Sequence, residues 1–337
     1  MTATSQPIPQ TAPQAADRLP VWARNLLGSQ EFVLLLSIVV LFVVVGTSKP
    51  RFLSENNLST IFLGNAYIAV AAVGMSMVII SGNIDISVGS LIGVLATISG
   101  TIAVSGYPVW LAWLLPLILG GLVGAVNGFL VAYLRIPAIV VTLGMLSILK
   151  GGLISVTRGE WIRDLPQEYF LSQMRPLNIP MPVYFMVILT VLAALWMRYS
   201  PAGRAIYAVG GNAEAARLSG ISYRGTILRV FILNGVIVGI ASVLFATQLS
   251  IIQSTVPQGV ELLIISSAVV GGVSILGGTG TVIGSTLAAI LLSAIGNALI
   301  FIDVSPYWYK AVQGILILLT VLADIFRRRR QLRQLKG

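Results

Sequence analysis

The chain contains neither cysteine nor histidine among its 337 residues, and Asp, Glu, Lys and Arg together make up only 9% of it. No disulfide, thiol nucleophile or histidine base is therefore available, and most transition-metal sites are excluded. Soluble domains usually carry about 25% charged residues, so water would not solvate this chain folded as a globule. There is also no G-x-x-x-x-G-K-[ST] run with which to cradle a nucleotide in the P-loop manner. The nearest glycine-rich run, Gly278-Thr279-Gly280 through Gly284, is spaced G-x-G-x-x-x-G between apolar segments and does not fit the dinucleotide fingerprint. A membrane enzyme would need a metal cluster or a buried nucleophile beside a base, and neither pattern is visible.

What the sequence does have is apolar length, with 56% of its residues hydrophobic. Runs near 20 residues match the roughly 30 Å hydrocarbon layer of a bilayer. Ten such runs are expected, at about 32–48, 60–81, 86–105, 109–133, 137–155, 182–198, 226–249, 261–275, 281–302 and 308–326. The expected fold is an all-α, polytopic transmembrane bundle with a short cytoplasmic helix. Residues 1–30 form a flexible cytoplasmic tail without the features of a signal peptide, 31–326 the membrane domain, and 327–337 a basic cytoplasmic tail.

An even number of spans places both termini on one side, and the run Arg327 to Arg330 holds that side in the cytoplasm. Arg18, Arg24, Arg135, Arg198, Arg204, Arg217, Arg224, Arg229, Arg333 and Lys336 then share that side. The outer side keeps fewer bases, and Glu55, Glu160, Asp164, Glu168, Glu261 and Asp303 largely offset them. The net charge of +10 thus reflects topology. The bases lie in short loops and tails and are not interleaved with aromatics, so no nucleic-acid partner is expected.

Two loops are long enough for work of their own: an inner one near 199–225 and an outer one near 156–181. In the inner loop Asn212 is placed to cap a helix over Ala213 to Leu218, and Gly220 to end it in a left-handed conformation. Such a helix is either a solvated connector or a docking element. The outer loop carries Arg158, Glu160, Trp161, Arg163, Asp164 and Glu168, a mixed-charge set open either to solvent or to the rim of a partner.

Several polar or glycine residues interrupt the apolar runs. Asp85 and Asn83 lie between two segments, either capping the following helix or lining a gate, because a carboxylate within a span is costly and faces protein or water. Asn127 adjoins Gly120-x-x-x-Gly124-x-x-x-Gly128, a face that lets another backbone approach; its amide meets either a neighbouring helix or the hydroxyl of a ligand. Gly278, Thr279 and Gly280 form a tight turn or a broken helix. A segment from Val73 to Gly100 resembles one from Val269 to Gly296, as in transporters built from repeats. Gln248, Gln253, Ser254, Gln258 and Glu261 are expected at outer span ends, polar enough to meet a polar ligand.

Glu214-Ala215-Ala216 followed by Gly220 resembles the coupling-helix signature of ATP-binding-cassette importer permeases. Gly82-Asn83-Ile84-Asp85-Ile86-Ser87-Val88-Gly89, Asn127-Gly128, Arg135-Ile136-Pro137-Ala138 with Thr142-Leu143-Gly144, and Gly271-Gly272 through Gly280 resemble the ribose, rhamnose and autoinducer-2 branch. The outer-loop run Gly159 to Pro166 looks more like the rhamnose and autoinducer-2 permeases than the ribose ones.

The resemblance implies a bacterial inner-membrane permease importing a monosaccharide or sugar-like molecule. Its implied partners are a second permease copy or paralogue, cytoplasmic ATPase subunits and a periplasmic sugar-binding protein, within membrane lipid. The chain then needs no cofactor, since ATP and Mg act on the ATPase. Arg204, Asn212, Glu214, Ala215, Ala216, Arg217 and Gly220 become candidates for coupling. Asn83, Asp85, Ser87, Asn127, Thr142, Gly278, Thr279 and Gly280 become candidates for the path or gate, and Arg158, Glu160, Trp161 and Arg163 for docking the binding protein. No metal site is expected. The alternative is a gradient-driven sugar transporter, for which Asp85, Glu261 and Asp303 are the few candidate relay acids.

Overall fold

The computed structural model describes residues 29–334 except 256, 258 and 306, with backbone alone at 323, 324 and from 326 onward. Most of the expected N-terminal tail, with Arg18 and Arg24, lies outside these residues, as do Gln258 and Lys336. Among the described residues the regular structure is helical apart from one antiparallel pair of two-residue strands, β1 (Trp161–Ile162) and β2 (Ile252–Gln253).

Among the described residues seven helices are long and apolar enough to cross a membrane. They are α1 (Gln30–Ser48), α2 (Glu55–Ile80), α4 (Val109–Ala132), α5 (Ala138–Thr157), α6 (Met181–Tyr199), α9 (Tyr223–Ala246) and α11 (Val282–Phe301). Of the other three expected spans, α3 (Val88–Val104) and α10 (Val260–Val270) are shorter apolar helices. The third, α12, runs Trp308–Gln334 with its apolar part ending at Leu322, so its helix continues through the segment expected as a basic tail. The expectation of a segment over 261–275 is corrected most. Gly271 caps α10 and Gly272, at φ +91°, turns the chain out of the helix, leaving 11 residues where about 20 are needed to span. Two small helices, α7 (Pro201–Gly211) and α8 (Ala213–Leu218), complete the set.

The interior is organised around α2, which is buried from Ala66 to Ile80 and touches α6, α9, α10 and α11. A helix apolar on every side suits that place, since it has no face to offer water. Against it packs the α4–α9 pair. A Cβ on Gly120 would collide with the Gly235 carbonyl, one on Gly124 with the Phe231 carbonyl, and one on Gly239 would come 2.6 Å from the Pro116 carbonyl. The two glycine rows therefore let the α4 and α9 backbones touch. Lipid tails supply no hydrophobic drive for helices to associate, so this close van der Waals contact does the holding.

The loop at 156–181 is folded onto the bundle. Ile162 of β1 and Ile252 of β2 lie over Gly100 near the end of α3. Tyr169 is fully buried, its hydroxyl 2.9 Å from Ser99 Oγ, and the Ser172 hydroxyl donates to the Leu244 carbonyl at 2.8 Å. We call this the ladder end of the molecule, and the opposite one the α8 end.

Candidate functional site

The α8 end begins with a sharp α6–α7 corner. The Ser200 hydroxyl accepts from the Gly203 backbone at 2.8 Å and caps α7, while Gly203 lies on the Met197 backbone, where a Cβ would stand 2.5 Å from its Cα. Asn212 separates α7 from α8 in extended conformation, and its side-chain oxygen accepts from the Glu214 and Ala215 amides at 3.0 Å each. The Gly220 and Ile221 amides donate back to the Arg217 and Ala216 carbonyls, with Gly220 at φ +80°. This is the Schellman closure that the glycine suggested.

Glu214 and Arg217 are two-thirds exposed and paired at 2.6 Å one turn apart. That bond holds the Glu214 carboxyl below its usual range and the guanidinium above its own. Beside them opens a cavity of about 740 Å³ lined by Asn83, Arg135, Glu214, Arg217 and Arg224 among others. Of the seven coupling candidates, all but Arg204 lie on α8 or at its two ends; Arg204 sits on α7, donating to the Tyr199 carbonyl at 2.8 Å.

Three turns of chain meet just above α8. The Gly278 amide donates to the Ile80 carbonyl at 2.8 Å, the last of α2. A Cβ on Gly210 would strike that same carbonyl, one on Gly277 would come 2.8 Å from the Gly210 carbonyl and 3.0 Å from Gly82, and one on Gly278 2.5 Å from Gly211. Gly82, Gly277 and Gly278 all have positive φ, which side-chain-bearing residues rarely adopt. The Tyr207 hydroxyl adds a bond to the Gly280 carbonyl at 3.0 Å. The α2–α3 turn, the α10–α11 turn and the end of α7 are thus locked backbone to backbone. The Thr279 carbonyl accepts from the Ser274 amide at 3.1 Å.

The two turns also match in detail. After α2 the Asn83 amide reaches back to the Val78 carbonyl, and after α10 the Val273 amide reaches back to that of Ala268, with Gly82 and Gly272 in corresponding places. The second turn holds 11 residues between its helices and the first holds 7.

Deeper in, Asp85 is 2% exposed. One carboxylate oxygen accepts from the Ser87 amide at 3.0 Å and hydroxyl at 2.6 Å; the other accepts from the Asn234 amide group at 3.0 Å. The Asn127 amide group donates to the Ser87 hydroxyl at 3.2 Å. Thr142 donates within α5 to the Ala138 carbonyl at 2.9 Å and sits 3.4 Å from that of Ile84. The acid therefore caps the turn into α3 and ties it to α9 through Asn234. Its charge is held by protein donors, not by an open cavity. Asn234 escaped the sequence reading because a lone asparagine on an apolar helix shows nothing of the acid it faces; Gly74, where a Cβ would come 2.6 Å from its side-chain oxygen, was likewise silent.

Replacing Asp85 separates these duties. Asp85→Ala strands three buried donors, and each unpaired group costs about 1–3 kcal/mol, so folded protein should be lost. Asp85→Asn should fold, because the Asn234 side chain can turn its unpartnered oxygen to the new amide. Size-exclusion profiles of the two variants check this pair of outcomes; equal yields would remove the capping role.

Glu261 is the second residue of α10, at an end set back from the ladder. Its backbone amide would stand 3.1 Å from a Cβ on Gly89, the second residue of α3, whereas Gly100 on the same helix meets the ladder. Eleven helical residues separate those contacts, or about 16 Å. The residue is deep because α10 starts deep.

At the ladder end Glu160, Trp161 and Arg163 line one open groove of about 490 Å³, with the Arg163 guanidinium 5.7 Å from the Trp161 ring centre. Arg158, at φ +53°, closes α5 nearby. Among the described residues no group of three or more acidic side chains could hold a metal.

Residues 57–321 match the family described as branched-chain amino acid transport system / permease component. The chain belongs to this permease family. It is accordingly a translocation subunit and not an enzyme. Among curated proteins the permease is 35% identical over 303 residues to the autoinducer 2 import system permease protein LsrC of Enterobacter sp. (strain 638), covering 89% of this chain and 88% of the relative. It is 35% identical to the protein of that name from Photorhabdus laumondii subsp. laumondii, covering 88% and 90%, and 36% identical to that from Salmonella typhi, covering 88% and 86%. No solved structure matches it.

Proposed function

We propose that the permease forms half of the path of an ATP-driven importer for a small sugar-like molecule of the autoinducer-2, rhamnose or ribose class. Relatives named for autoinducer 2 import, similar along nearly the whole chain, support that substrate class. In this reading ten segments cross the bacterial inner membrane with α3 and α10 as shortened members, and both termini face the cytoplasm. A second copy or paralogue completes the path, a periplasmic binding protein meets the ladder end at Glu160, Trp161 and Arg163, and ATPase subunits holding ATP and Mg meet α8.

The observation that carries the reading is the glycine junction. Only Asn212 separates Gly210 and Gly211 from α8, and Gly210 is seated on the turn of one hairpin and touched by the turn of the other. A push on α8 by an ATPase would therefore be delivered to both hairpins at once. On the far side of α8, α9 carries Asn234 to Asp85 and so to the start of α3. ATP-driven closure then tilts α3 and α10, whose deep ends lie by Gly89 and Glu261, and access alternates between the two sides.

Uptake into proteoliposomes tests this. The permease is reconstituted with its neighbouring ATPase, any paralogous permease and the binding protein, with and without internal ATP. ATP-dependent accumulation of a labelled sugar-like substrate is expected. Uptake that needs only an ion gradient would sink the ATP-driven reading in favour of secondary transport.

A further inference from the structure

On the α8 end, between α6, α7 and the starts of α1 and α11, lies a groove of about 610 Å³. Its rim carries Arg198 and Arg204, and its wall includes Leu195 and Ile283, which are 50% and 44% exposed. The wall continues along α6 through Val187, Ile188, Val191 and Leu192, all about as exposed. In a membrane such a face is covered by acyl chains, and the arginines stand where that face ends.

The two charges do not have the same explanation. Arg198 ends α6, where a cation complements the helix dipole, and it lies 5.4 Å from the Tyr199 ring centre. Arg204 is in the opening turns of α7, where the dipole disfavours a cation. One of its nitrogens donates to the Tyr199 carbonyl, which leaves most of its donors free. Neither arginine has an ion-pair partner among the described residues. The groove's one acid, Glu31, is already engaged, accepting from Thr281 at 2.6 Å at the start of α11. An arginine held against a helix dipole beside a second unpaired arginine, at the edge of an apolar wall, calls for an anion that brings its own apolar tail.

We propose that this groove binds an anionic phospholipid of the phosphatidylglycerol type, with its phosphate between Arg198 and Arg204 and its chains along Leu195 and Ile283. Headgroup hydroxyls then donate to the remaining oxygen of Glu31. The chain's own residues 1–28 are the poorer occupant, because Arg18 and Arg24 would bring positive charge to a positive rim. The bound lipid would brace the α6–α7 corner from which the α8 arm hangs.

Native mass spectrometry of the full-length permease with equimolar phosphatidylglycerol and phosphatidylcholine tests the site. The wild type should retain the anionic lipid with a preference of roughly fivefold per arginine, as expected from about 1 kcal/mol for each juxtamembrane basic residue. Arg198→Gln with Arg204→Gln should bring the two lipids to parity, and Arg158→Gln with Arg163→Gln at the ladder end should not. Equal retention in the wild type would overturn the proposal. So would displacement by glycerol phosphate as effective as by lipid, which would mark a soluble-anion site. A preference that arises only after removal of residues 2–28 would assign the groove to that segment and overturn it too. None of these readouts depends on transport, so the site stands or falls apart from the importer reading.

Discussion

Glu214→Arg should reduce uptake to background and abolish stimulation of the partner ATPase, while the permease still inserts and runs as a single species. The side chain is two-thirds exposed and both of its hydrogen bonds are to Arg217, so reversal leaves no buried group unpaired. The new like-charge pair one turn apart weakens α8 only slightly, since such surface pairs are worth little in either sense. The Asn212 cap and the Gly220 closure remain. What changes is the sign of charge offered to a docking subunit, and truncating or inverting a charge at an interface acts chiefly on binding. The combined Glu214→Arg and Arg217→Glu variant rebuilds the pair with its sense reversed. If it stays inactive, docking rather than helix stability is at fault. Wild-type uptake by Glu214→Arg would remove α8 from the coupling route.

The second large effect concerns two adjacent glycines. Gly210→Ala should lower uptake at least about tenfold, because its Cβ must displace the Ile80 carbonyl and the Gly278 amide bonded to it; overpacking of this kind costs about 1–3 kcal/mol. Gly211→Ala should be close to wild type, since its Cβ would meet only Gly278, at an ordinary 3.9 Å. Both sit in helix-compatible backbone before the same cap, so helix propensity does not distinguish them. Measuring ATP turnover and uptake together separates transmission from folding: Gly210→Ala should still insert, and ATP hydrolysis should run without matching uptake. If the two alanine variants behave alike, the glycine junction does not transmit the motion.

The helix around Glu214 was legible from sequence because its determinants are local. An asparagine cap, strong helix formers and a closing glycine act within a few residues of one another, and the structure has all three in place. The glycine rows of α4 and α9 were legible for a related reason: spacing by four places residues on one face of a helix whatever stands opposite. The long apolar runs likewise announced a helical membrane protein before any contact was known.

Asp85 was legible only by halves. Its position before a helix suggested a cap, and the bond to the Ser87 amide is local, but Asn234 lies 149 residues away and no periodicity joins them. Hydropathy overestimated α10, because Gly271 to Gly280 reads as weakly apolar while its positive-φ glycines fold it into a turn. Glu261 was misplaced for the same reason: a segment taken as a full span puts its first acid at a membrane surface, and a half-length helix puts it deep. Tyr169 and Ser172 looked like loop residues until Ser99 and Leu244 were seen beneath them.

Composition, apolar run length and local capping chemistry by themselves determined that this chain is a helical membrane protein. They also marked where its exposed α8 begins and ends, since these properties depend on residues adjacent in the chain or on one helix face. Which glycines touch, which amide bonds the buried acid and how deep α10 begins were decided by the tertiary structure alone. Those contacts join backbone and short side chains from segments far apart in the chain, and their energies exist only once the helices have closed around α2.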